Sequence, residues 1–127
     1  MYPTEEQKQT EMFGVYESIE KRIKRLEAIT GNLNKMAEKA AHSIANYDKA
    51  IAIATAKLAL GTVKEVLGVP VNGKPPATLI KKLAEGMCYE ERTQQEIAIN
   101  GYRSIITKIK VLTATLNGKQ SLFRNLQ

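Results

Sequence analysis

From Met12 to Gly61, steps of three and four residues keep landing on a single stripe of apolar side chains. In heptad terms the d positions are Met12, Ile19, Leu26, Leu33, Ala40, Tyr47, Ala54 and Gly61, and the a positions are Tyr16, Ile23, Thr30, Ala37, Ile44, Ile51 and Leu58. Only Thr30 and Gly61 break the apolar character, in a chain that is 43% hydrophobic overall. A period of 3.5 held over that length is the pattern of helices packing on helices. It leaves no room for a sheet protein.

Local signals bound the helices. Thr4 and Gln7 have the spacing of a capping box, and Glu5 and Glu6 suit the positive end of a helix dipole. The stretch Gly68 to Pro76 (GVPVNGKPP) is a connector, with Asn72-Gly73 the strongest turn dipeptide. Pro75 and Pro76 can open the next helix, because its first N–H groups lack intrahelical partners anyway. The expected organisation is one domain over residues 1–127, with a helix over about 4–67, a turn over 68–76 and a helix over about 77–126. Gly31 falls inside the first helix. Because the heptad phase is unchanged across it, the helix is expected to continue, glycine costing about 1 kcal/mol of propensity.

The fold class that follows is all-α: a long antiparallel helical hairpin with coiled-coil heptads. Reversal about Asn72-Gly73 would put residue i near residue 144 − i and leave residues 1–17 overhanging. The segment Ala50 to Leu60 is apolar on nearly every face, more than one neighbouring helix can cover. Two such hairpins dimerising into a four-helix bundle would cover it. The alternative is a monomeric four-helix bundle broken near Gly31 and Gly101. The seam expected between subunits comprises Ile44, Tyr47, Ile51, Leu58, Tyr102, Ile105 and Ile109.

Chemistry-bearing residues are sparse. Gly68-x-x-x-x-Gly73-Lys74 falls one residue short of a phosphate-binding loop: a proline stands where Ser or Thr would hold magnesium, and no strand precedes it. His42 is the only histidine and faces away from the stripe. Cys88 is the only cysteine, expected to be a buried reduced thiol. No nucleophile, base and orienting group can be assembled. The expectation is a protein that is not an enzyme, with no cofactor, no metal site and no small-molecule substrate. Ala50 to Leu60 is too short to span a bilayer, and Met1 to Glu6 is polar and acidic, unlike a leader. The location expected is cytoplasmic, the host cytoplasm if the gene is viral or plasmid-borne, with no membrane partner.

Charge is the remaining signal. The net charge is +6 and the pI about 9.5. Residues 101–127 hold five cations and no acid, and Lys21-Arg22-Ile23-Lys24-Arg25 is a dense basic cluster. An antiparallel hairpin would merge the two at the end away from the turn. Residues 1–19 run the other way, with Glu5, Glu6, Glu11 and Glu17 against Lys8 alone. The expected reading is a homo-oligomeric accessory protein of recombination, replication or packaging type, binding nucleic acid through Lys21, Arg22, Lys24, Arg25, Lys108, Lys110, Lys119 and Arg124. An acidic protein partner is also compatible with this charge. The alternative is a protein–protein interaction module such as an adaptor, secretion chaperone or inhibitor of a host factor, working through Ile44, Ile51 and Leu58.

Overall fold

The computed structural model describes Tyr2 and residues 4–126. Met1, Pro3 and Gln127, part of the domain expected over 1–127, lie outside the described residues. The elements in order are α1 (Glu5–Ala59), β1 (Glu65–Val66), β2 (Val69–Pro70), α2 (Ala77–Met87) and α3 (Tyr89–Leu126). The chain is helical, and the long helices α1 and α3 pack against each other antiparallel.

The N-terminus of α1 is the expected capping box. The Gln7 N–H donates to Thr4 Oγ1 at 3.1 Å, and the Thr4 N–H donates to Gln7 Oε1 at 2.8 Å. The helix runs unbroken through Gly31, and α3 runs unbroken through Gly101, which removes the broken-bundle alternative. Gly101 has a packing reason: a Cβ built on it would lie 3.0 Å from Met36 Cε.

Helix α1 ends at Ala59, well short of the 67 expected. Gly61 is the reason. It takes φ +74°, its N–H donates to the Leu58 carbonyl at 3.1 Å, and the Thr62 N–H donates to the Lys57 carbonyl at 3.2 Å. This is a Schellman cap, with glycine at the left-handed C′ position. The glycine that extends the apolar stripe in sequence is thus the helix stop.

The chain then reverses at Leu67-Gly68, not at Asn72-Gly73. Strands β1 and β2 pair antiparallel, Glu65 with Pro70 and Val66 with Val69, and the Val71 N–H donates to the Lys64 carbonyl at 2.7 Å. Leu67 (φ +50°) and Gly68 (φ +79°) make the two-residue turn. Positive φ at both central residues is the mark of the primed turns that match strand twist. Leucine in that region costs about 1–2 kcal/mol. Packing holds it there: a Cβ on Gly86 of α2 would lie 3.1 Å from Val66 Cγ1 and 3.4 Å from Leu67 Cδ1, so the bare glycine seats the hairpin. The loop also closes on itself, because a Cβ on Gly61 would lie 3.1 Å from Lys74 Cγ.

The second helical region is two helices. Cys88 (φ −110°, ψ 24°) separates α2 from α3, its N–H shared between the carbonyls of Ala84 and Glu85. The bend keeps Ala84 and Cys88 together against Ala54 and Leu58 of α1, an apolar cluster edged by Tyr47, Ala50, Ile51, Val63, Ile80, Leu83 and Met87. Small side chains there let the helices approach closely.

The chain forms two compact units. One comprises residues 36–101 and contains that cluster. The other joins the segment ending at Lys35 to the segment beginning at Tyr102. It buries Val15, Ile19 and Leu112, and sets the rings of Tyr16 and Phe123 at 6.4 Å between centroids. The pairing differs from the 144 − i rule. Residue 108 would face Met36 under that rule, whereas Gly101 does. Tyr16 was expected to overhang and instead packs on Phe123. Moving the reversal back to Leu67-Gly68 shifts the pairing in the direction observed. No helix among the described residues is long and apolar enough to cross a membrane.

Candidate nucleic-acid interface

The buried face of α1 is turned relative to the a/d stripe. The d line (Met12, Ile19, Leu26, Leu33, Ala40) stays covered. The line beside it, Val15, Arg22, Ile29, Met36 and Ser43, is buried or half-buried too. Ser43 is accommodated because its hydroxyl donates to the Ala40 carbonyl at 2.7 Å. On the opposite shoulder Tyr16, Thr30 and Ile44 are exposed, while Ile23 and Ala37 are half-buried. Ile29 of the Val15 line reaches a basic groove in the first unit.

That groove is bounded by Arg25, Ala28, Ile29 and Asn32 of α1 and by Ile105 and Lys108 of α3. Arg25 and Lys108, 83 residues apart in sequence, thus stand over one apolar floor. A second depression brings Gln120, Phe123 and Arg124 of α3 against Ile19 of α1. Lys21, Lys24 and Lys110 are exposed on the same unit, and Arg22 is half-buried. Arg103, Lys110 and Arg124 are spaced by multiples of seven and so share one outer line of α3. Lys119 differs: it is half-buried in line with Leu112 and Phe123, on the face turned toward α1.

Segments 21–35 and 102–126 of this unit carry ten cations and a single carboxylate, Glu27. Among the described residues the one ion pair is Arg92–Glu96 at 3.4 Å, in the other unit. The ten cations are thus free of carboxylate partners, and eight of them are exposed. At effective dielectric constants near a protein surface, such a cluster raises a positive potential that a polyanion lowers on contact.

The residues expected at a subunit seam fall in both units. Leu58 is 0% exposed within the chain's own core, so it offers no surface to a partner. Tyr47 and Ile51 pack on that core, Ile44 is exposed, and Tyr102, Ile105 and Ile109 are half-buried. His42 is exposed beside Lys39, Ser43, Asn46, Glu91 and Gln94. Among the described residues no three His, Cys, Asp or Glu side chains gather as metal ligands. Burial, with Glu91 nearby, pushes the Cys88 thiol above its ordinary value. Ile29 and Asn32 of the groove are not among the sequence-derived site residues, and Ile105, expected at a subunit seam, lines this groove instead. The signal for Ile29 is an apolar residue one step off the stripe.

No family model matches this chain, and no curated protein or solved structure shows significant similarity to it.

Proposed function

We propose that this is a non-catalytic helical protein that binds nucleic acid through the basic face of its first unit. The observation that carries the reading is the convergence of ten carboxylate-free cations from two distant segments onto one packed pair of helices, with Arg25 and Lys108 on a common groove. Phosphate contacts by such a face release counterions, so affinity falls linearly with salt on logarithmic axes. Each contact contributes a slope of about 0.9 on duplex and about 0.7 on single strands. Accessory roles in recombination, replication or packaging ask for this backbone-tracking chemistry and for no reactive group.

Fluorescence anisotropy with labelled duplex and single-stranded DNA tests the reading. Binding at about 50 mM salt is expected, where phosphate contacts are strongest. The Arg25→Glu/Lys108→Glu and Lys21→Glu/Lys24→Glu pairs should weaken it and flatten its salt dependence, with helix content intact. Absence of binding to either polymer at that salt, or equal binding by both variants, removes the reading.

A further inference from the structure

The same basic face has a complementary surface on the molecule itself. Glu5, Glu6, Glu11 and Glu17, with Lys8 the only cation among them, occupy the first turns of α1. Every residue from Glu5 to Glu11 is exposed. Just beyond, Phe13 is 63% and Tyr16 50% exposed. This arm cannot fold back onto its own Lys21–Lys35 stretch, because both belong to one unbroken helix. Whatever neutralises one with the other must come from a second copy of the chain.

We propose that two copies associate through their first units, the acidic arm of each lying along the Lys21–Lys35 stretch of the other. The lengths match. Glu5 to Glu17 spans about 18 Å and Lys21 to Lys35 about 21 Å at 1.5 Å per residue. Because acid and base are consecutive on one helix, an antiparallel crossing about a two-fold axis near Glu20 satisfies both complementary pairs in one contact. Such a contact is self-complementary and closes as a dimer, whereas a parallel offset would propagate into filaments. Phe13 and Tyr16 lie on the crossing segment and lose water on association, adding an apolar contribution that salt does not screen. The dimer covers cations that the nucleic-acid reading also uses, so the two ligands compete. Self-association needs only the charges and is measured without nucleic acid, so its failure is distinct from failure of that reading.

Sedimentation velocity of the full chain tests the contact, with circular dichroism to verify that each variant is helical. At about 50 mM salt the protein should be a dimer, with the dissociation constant rising at least tenfold by about 500 mM as screening shortens to a few ångströms. Glu6→Lys/Glu11→Lys/Glu17→Lys should be monomeric, and so should Lys21→Glu/Arg25→Glu/Lys35→Glu. Mixing the two variants should restore a dimer, because each arm then meets a patch of opposite sign. A wild-type monomer at about 50 mM salt, open-ended growth with concentration, salt-indifferent association, or a mixture no better associated than its components overturns the proposal.

Discussion

Replacing Gly31 by alanine tests the continuity of α1 at the one place where the sequence offered a break. The residue lies mid-helix, its φ is not positive, and a Cβ built on it meets nothing within 4 Å. Alanine therefore gains its full helix propensity over glycine, about 1 kcal/mol, without steric cost. For a chain of this size that corresponds to a rise in Tm of about 4 °C. Gly101→Ala is the built-in comparison. It gains the same propensity, but its new methyl must displace Met36 Cε from 3.0 Å, so its gain should be smaller. Gly31→Pro should cost about 3 kcal/mol or more, by removing an N–H and colliding with the preceding turn. Urea melts followed by circular dichroism read all three, and an unchanged m-value keeps the comparison valid. If Gly31→Ala destabilises by about 1 kcal/mol or Gly31→Pro is neutral, the chain does not run as a helix there, and the pairing of α1 with α3 falls with it.

Two other outcomes are expected. Leu58→Ala should cost about 2–5 kcal/mol, because Leu58 is fully buried, while Leu60→Ala, at a residue 71% exposed, should stay within about 0.5 kcal/mol; equal costs in the urea melt would mean the end of α1 is rotated from the orientation described. Cys88 should react with a thiol reagent far more slowly in the folded chain than in urea, because burial with Glu91 nearby raises its folded pKa above the ordinary 9.0. The sign for stability follows: the unfolded thiol ionises first, so Cys88 favours folding fully below pH 9 and loses that contribution as pH climbs through the folded value. Cys88→Ala should flatten this alkaline decline, and an unaltered slope would contradict it.

Much of the architecture is legible in the residue pattern, and the misses have local causes. Thr4 and Gln7 announce the first cap, and the unbroken phase across Gly31 announces continuity. Both signals act through bonds within a few residues. The end of α1 was obscured because Gly61 sits on the apolar stripe, where spacing argues for continuation, while its left-handed φ depends on the carbonyls of Lys57 and Leu58. Propensity favours Asn72-Gly73 for the reversal. The actual turn uses Leu67, a poor left-handed residue, and relies on Gly86 some twenty positions away for its seat. No turn residue marks Cys88; the bend there is set by tertiary packing beside Leu58. The basic groove shows the same division. Composition reveals which segments are cationic, yet the meeting of Arg25 with Lys108 depends on how α1 and α3 pack within the first unit.

The closed loop between Gly61 and Lys74 also bears on how this molecule can be handled. Its two ends touch, and its tip at Leu67-Gly68 is exposed. A foreign peptide grafted after Gly68 would begin and finish at nearly one point, so neither long helix would be asked to slide. A fluorophore-binding tag or a protease site installed there would report on the unit comprising residues 36–101.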